Sequence, residues 1–294
     1  MSAPAPTGSR RCRARAPSER AGGGTLCSEG ARRRPLDWDA ATYDRVADPQ
    51  ESWAREIIAR MQLRGAETVL DAGCGSGRVT RLLLEALPHG RVLAVDASPA
   101  MVAAARAALE GEIRRGALSV LEQDLLELSL GERVDAIFSC AVFHHIHDHD
   151  RLFARLHEAL RPGGMLVAQC GGAGNVARFH AHAQAVAMRE PFARHLAGMP
   201  APWHYATPEE TAQRLRAAGF DAISCWLEER PLRPAQLHDF VEKVCLNYHG
   251  ERLRQRAGQE AGRRLAEQFT TAVIDAMGDR GLIDYVRLNI EASA

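Results

Sequence analysis

Two groups of side chains in this sequence have the types and spacing that chemistry needs. The first is Asp71-Ala-Gly-Cys-Gly-Ser-Gly77, an acid followed by glycines at alternate positions. Glycines there let the backbone turn sharply and pass close beneath a ligand. The spacing differs from the dinucleotide pattern G-x-G-x-x-G, and no Gly-Lys-Ser/Thr follows to make a P-loop. A second acid, Asp96, ends the next apolar run about 20 residues on, where a carboxylate can grip a ribose diol. The second group is Cys140-Ala-Val-Phe-His-His-Ile-His-Asp-His-Asp150, with four histidines and two aspartates in seven residues. Imidazole and carboxylate suit zinc or iron. However, adjacent His144 and His145 cannot easily aim at one ion from a short loop, and no distant His/Cys set completes a site. No metal is expected.

Regular elements must hold these groups. Ser52–Leu63 reads as a helix with Trp53, Ile57, Ile58 and Met61 on one face. Thr68–Leu70 is a short apolar strand leading into the glycine loop, and Arg78–Leu87 is the helix after it. Arg91–Val95 is a second strand, and Ser98-Pro99 caps a helix that runs to Glu110. Further strands are expected at Ser119–Glu122, Val134–Ser139 and Met165–Cys170, with a helix over Asp150–Leu160 capped by Asp148 or Asp150. His147 and His149 are expected in solvent. Strands that are apolar throughout and alternate with helices indicate a parallel sheet covered on both faces, a doubly wound α/β unit. Beyond it, residues 171–207 form a long segment with a helical stretch at Phe179–Arg189. A helix follows over Pro208–Ala218, a strand over Ala222–Leu227, mostly helix over 235–276, and a last strand over Tyr285–Ile290.

The composition limits the function classes. Of 294 residues, 46% are hydrophobic and 25% charged, enough to fill a sizeable core. No apolar run approaches the ~20 residues of a membrane span. Net charge is zero but uneven: residues 1–35 carry eight arginines against two glutamates, leaving 29 basic and 35 acidic side chains for the rest. Residues 1–35 read as a disordered basic tail, with an overlong translation start as its simplest origin. The acidic remainder argues against a nucleic-acid partner. Seven cysteines include no C-x-x-C pair, which points away from zinc ribbons and redox dithiols and towards reduced thiols in the cytoplasm.

Val69-Leu-Asp-Ala-Gly-Cys-Gly-Ser-Gly77 resembles the first motif of class I S-adenosylmethionine-dependent methyltransferases. Val95-Asp-Ala-Ser-Pro-Ala-Met101 resembles their second motif, Glu122-Gln-Asp-Leu125 their third, and Leu160-Arg-Pro-Gly-Gly-Met-Leu166 their entry to strand five. The resemblance covers roughly residues 40–230, and the C-terminal layout looks most like the trans-aconitate methyltransferase-like branch. It implies a Rossmann-like, doubly wound seven-stranded sheet of order 3-2-1-4-5-7-6, the last strand antiparallel, with a mostly helical cap. Residues 36–170 would be the S-adenosylmethionine-binding core, and 171–294 the cap insertions plus the last helix and two strands of the core. By the same resemblance Asp71 would meet the methionine part of the cofactor, and Gly73, Gly75 and Gly77 would let the loop pass beneath it. Asp96 would bind the ribose hydroxyls and Met101 would pack on adenine. Asp124 would accept from the adenine amino group, Leu125 would line that pocket, and Cys140, at the end of strand four, would also contact the cofactor. The segment after strand four would line the transfer site, so His144 or His145 would touch substrate.

On the substrate side, Tyr43, Asn175, Trp203 and Tyr205 are the main candidates, with Arg178, His204, Arg233 and Tyr248 as further cap residues. Trp203-His204-Tyr205 stands out because amphipathic side chains gather where a lid meets a ligand. The rival reading is a nicotinamide-dependent oxidoreductase, but short-chain reductases need Tyr-x-x-x-Lys and the only lysine, Lys243, follows Asp239 at that spacing. A non-catalytic nucleotide-binding protein is the other alternative. In place of the Asn/Asp-Pro-Pro-aromatic tetrapeptide of base methylases stands Cys140-Ala-Val-Phe143, so the expected acceptor is a small molecule, O-methylated and possibly a carboxylate. The expected state is monomer or homodimer, with no membrane partner.

Overall fold

Seven strands pair into one sheet of order β3-β2-β1-β4-β5-β7-β6 in the computed structural model, which describes residues 48–278 and 281–294. The expected tail over residues 1–35 and the candidate Tyr43 lie outside the described residues. The strands are β1 (Thr68–Ala72), β2 (Arg91–Asp96), β3 (Leu118–Glu122), β4 (Val134–Cys140), β5 (Leu160–Gly171), β6 (Asp221–Glu229) and β7 (Val286–Ser293). β1 to β5 pair in parallel, and β7 runs antiparallel between β5 and β6. This is the order and direction that the resemblance implies.

Both faces of the sheet are covered, which is why its central strands read as unbroken apolar runs. On one face lie α1 (Asp48–Met61), α2 (Thr80–Ala86) and α3 (Pro99–Ala108); Ala54, Ile57, Leu83 and Ala105 pack there against Val69, Val92 and Phe138. On the other lie α4 (His149–Ala159) and α6 (Pro208–Ala217), whose Leu152, Leu156 and Leu215 meet Leu70, Ile137, Leu166 and Leu288. The caps follow local chemistry. Ser98 accepts from the Met101 amide with Pro99 at the first helical position, and Asp148, not Asp150, accepts from the Arg151 amide. Thr207 and Glu210 form a reciprocal capping box at the start of α6.

A third cluster of buried side chains belongs to the cap. It joins α5 (Ala177–Ala187), α7 (Asn247–Ala257) and α8 (Gln259–Met277) through Phe179, Val186, Leu253, Phe269 and Val273. The expected helical stretch over 235–276 is broken: a turn at Leu237–Phe240 runs into a π-helical segment, Val241–Cys245, before α7. β5 begins at Leu160 and so takes in the Arg161-Pro-Gly-Gly164 turn expected to precede it. Among the described residues no helix is long and apolar enough to cross a membrane.

Candidate active site

The glycine loop leaves β1 at Ala72 and is tied to β2 by the Gly73 and Cys74 amides, which donate to the Val95 carbonyl at 2.8 and 3.0 Å. Gly73 sits at φ +92°, and a Cβ there would lie 2.3 Å from the Val142 side chain, so only glycine fits. A Cβ on Gly75 would meet no atom within 4 Å: the loop leaves room on that side. Gly77 packs against Leu109 and Ala105. Asp96, at the end of β2, accepts from the Gly75 amide through Oδ2 and from the Ser98 amide through Oδ1, both at 2.9 Å. Burial nevertheless holds its carboxyl above the usual range.

Asp71 lies inside the sheet, 2% exposed, with Thr80 Oγ1 donating to it at 2.7 Å. Burial pushes its carboxyl up to about 7, the Thr80 bond opposes this, and the Asp96 charge adds to it. Met101 is buried in the first turn of α3 and Leu125 in a short 3-10 turn. Asp124 is exposed and caps that turn, accepting from the Leu126 amide at 2.9 Å. Cys140 closes β4 half-buried, its thiol pushed up to about 11 by burial. Room beside Gly75, a strand-end acid bonded to its amide and a buried carboxyl on β1 have the chemistry suited to a ligand with a ribose and a cationic tail.

The histidine segment is not in the expected state throughout. His147 is exposed as expected, but His149 is 3% exposed, which corrects the expectation of solvent. It opens α4, its Nε2 lies 3.0 Å from the Phe143 carbonyl oxygen, and its ring packs edge-on to His204 at 4.7 Å. The apolar stripe of α4 carries it inward. His144 Nδ1 accepts from the Gly171 amide at 3.2 Å, so the neutral ring carries its proton on Nε2. Burial, with His145 and Arg287 nearby, holds His144 well below the usual histidine range, and burial lowers His145 to about 4. Both rings are neutral at physiological pH.

These histidines form one wall of a cleft of roughly 550 Å³, counting its open mouth. The cap supplies another wall. Tyr205 stacks on His144 at 5.9 Å, Trp203 lies 6.2 Å from Tyr205 and stacks on His180 at 4.9 Å, and Asn175 hydrogen-bonds the Tyr205 phenol. Burial pushes that phenol up. Gly171 permits the approach, since a Cβ there would stand 2.7 Å from the Tyr205 ring. Of the further cap candidates, Tyr248 reaches His145 Nδ1 at 3.3 Å and His204 turns to Arg214 at 3.2 Å. Arg178 and Arg233 are exposed and do not line the cleft. Away from it, His238, Asp239 and Glu242 bring possible ligand atoms within 4.8 Å of one another, with Asp239 also 3.8 Å from Lys243.

Sequence reasoning missed Trp53 as a lining residue, and it missed Arg287 altogether. Arg287 is 2% exposed on β7 and stacks over Trp53 at 4.5 Å. The available signal was alternation: Arg287, Asn289 and Glu291 interleave with Leu288, Ile290 and Ala292 on a strand whose implied place is inside the sheet.

A family described as "Methyltransferase domain" matches residues 69–164. Trans-aconitate 2-methyltransferase of Methylobacterium nodulans is 33% identical over 192 residues, 65% of this chain and 67% of that protein. Its counterpart in Azoarcus sp. is 39% identical over 132 residues, 45% of this chain and half of that protein. A solved structure of Haemonchus contortus phosphoethanolamine N-methyltransferase 2 in complex with S-adenosyl-L-methionine superposes with a TM-score of 0.57. It shares 19% identity over 89% of this chain and 58% of that one, a likeness of fold. On the shared domain, the sheet order and the extent of the first of these relatives, the chain belongs to the class I S-adenosylmethionine-dependent methyltransferases.

Proposed function

We propose that the protein transfers a methyl group from S-adenosylmethionine to a carboxylate oxygen of a small molecule held between the histidine wall and the cap. The observation that carries this reading is the state of His144 and His145: the first is buried and the second half-buried, both are neutral, and desolvation lowers His145 to about 4. A hydroxyl or amine acceptor needs a base whose pKa lies near the working pH. A carboxylate needs none, because it attacks already ionised. When bound, S-adenosylmethionine supplies a methyl group activated by its sulfonium, so alignment of the acceptor provides most of the rate. In the reading offered here Asp96 takes the ribose, Asp71 the cationic methionine end, and Met101, Asp124 and Leu125 the adenine, with Cys140 beside the sulfur. His144 donates from Nε2 to the acceptor, and Asn175, Trp203 and Tyr205 close over it. The relatives named for trans-aconitate support a carboxylate acceptor. Seven cysteines without a C-x-x-C pair support a reducing, cytoplasmic setting, and the protein is read as a monomer or homodimer.

The test is to incubate the protein with methyl-labelled S-adenosylmethionine and a panel of small carboxylic acids, trans-aconitate included, and then treat the products with alkali. A methyl ester releases its label as volatile methanol. Base-stable label would move the acceptor to nitrogen, carbon or a phenol, and absence of transfer to any acid would overturn the carboxylate assignment.

A further inference from the structure

We infer that Arg287 is the specificity-determining residue for the acceptor: it binds a non-reacting carboxylate, so the preferred substrate carries at least two acidic groups. This rests on the methyltransferase reading of the cleft and deepens it.

Arg287 is 2% exposed and lines the cleft, and its Nη2 is enclosed with no hydrogen-bond partner among the described residues. A buried cation left short of partners is costly, and such groups mark places where a counter-charge binds. Among the described residues no Asp or Glu lines the cleft. Glu228, opposite Arg287 in register on β6, is taken by Arg230 at 2.8 Å. The orientation of the guanidinium is fixed from behind. Its Nε donates to Gln169 Oε1 at 3.2 Å, Gln169 Nε2 donates to Asn289 Oδ1 at 2.8 Å, and Arg60 Nη1 donates to the same oxygen at 2.9 Å. Trp53 supports its face. A planar fork held through Nε, on a residue that lines a cleft with no acid among its described lining residues, is complementary to a carboxylate. The histidines opposite are neutral, so among the described lining residues Arg287 is the fixed positive charge.

The carboxylate that pairs with Arg287 is not the one that reacts. Charge-assisted hydrogen bonds commit its lone pairs and lower its nucleophilicity, so the attacking oxygen belongs to a second carboxylate of the same molecule. On methyl transfer that oxygen forms the new O–C bond, the C–S bond breaks with its electron pair left on sulfur, and no proton moves. Arg287 keeps its partner throughout.

The experiment uses the full chain as wild type, Arg287→Lys and Arg287→Met, with S-adenosylhomocysteine, trans-aconitate, its trimethyl ester, succinate and acetate as probes. Binding is measured by calorimetry, and acceptor kinetics by label transfer. Wild type is expected to bind the di- and tricarboxylates far better than acetate or the ester. Arg287→Met should weaken the polycarboxylates at least about 30-fold, while S-adenosylhomocysteine affinity stays within about threefold. Arg287→Lys should recover part of the loss, because it keeps the charge without the fork. If Arg287→Met does not fold, the wild-type comparison of acid with ester and the lysine variant still decide. Equal loss of S-adenosylhomocysteine binding would assign Arg287 to the cofactor's own carboxylate and overturn the inference. So would wild type that binds S-adenosylhomocysteine but no acid of the panel, or that binds ester and acid alike. Failure of wild type to bind S-adenosylhomocysteine would fell the underlying reading as well.

Discussion

Asp71 is a carboxyl group that its own strand withdraws from water, and the consequence for stability has a definite sign. Its folded pKa is raised to about 7 from an ordinary 3.8. Between those values the folded chain keeps a proton that the unfolded chain has released, so stability falls as pH rises through that window. Asp71→Asn keeps an acceptor for Thr80 and removes the titration. Its melting temperature should exceed that of wild type at pH 8, with the difference fading by about pH 4, in paired thermal scans. The same variant should bind S-adenosylmethionine more weakly, and wild-type affinity should rise with pH through 7, because a cationic ligand favours the ionised carboxyl. Asp96 is expected to cost more. Asp96→Ala removes a charge-assisted acceptor, about 1.5–3 kcal/mol or roughly 10- to 150-fold in calorimetric affinity, and frees the Gly75 amide as well. His144 and His145 contribute no inflection: with both held low by burial, kcat should stay flat from about pH 6 to 9. A rise in kcat near pH 6.5 would restore a histidine base.

The elements were legible in proportion to how local their causes are. Strand–loop–helix order and the Ser98 and Asp148 caps follow from neighbouring residues and form as their patterns imply, while the first helix keeps its apolar face but starts at Asp48 and ends at Met61 rather than spanning Ser52–Leu63. The π-helical turn at Val241–Cys245 does not, because an extra residue in a turn is set by what the cap packs against. It matters to the site, since Val244 and Cys245 line the cleft. His149 was misread for the same reason: a charge-rich stretch looks solvated until the helix face it opens is known. The connection between β5 and α6 gives two contrasting predictions. Replacing both Trp203 and Tyr205 by Ala should raise the acceptor KM or abolish turnover while S-adenosylmethionine affinity stays within about threefold, because both line the cleft, Tyr205 stacked on His144 and Trp203 on His180. Thr207→Ala removes the capping box that ends the connection and should cost about 1 kcal/mol, a fall of a few degrees in Tm, with cofactor affinity unchanged. Kinetics of the two variants separate a lid that contacts substrate from one that only packs.

At the scale of the molecule, the cofactor side of the proposed site comes mostly from one continuous stretch and its acceptor side from segments far apart. The glycine loop, Asp96, Met101 and Leu125 fall within 71–125, and that is why their motifs could be read in order along the chain. Trp53, His144, Tyr205 and Arg287 meet only because α1 covers the face of the sheet from which Arg287 and Asn289 project, while β7 inserts between β5 and β6. No local pattern encodes that meeting. The division predicts how ligands stabilise the fold. A ligand at 100 times its Kd adds about 2.7 kcal/mol to the folded state, which for a domain of this size is a rise of roughly 5–10 °C in Tm. S-adenosylhomocysteine alone should produce this shift, since the residues proposed to hold it all lie within 71–140. A polycarboxylate alone should produce less, because the histidine wall hangs on the end of β4 beside the place of the cofactor, and the acceptor then lacks one side of its site. The two together should exceed the sum of their separate shifts. Strict additivity in a thermal-shift titration, or a larger shift from the acid alone, would mean that acceptor and cofactor do not share a wall.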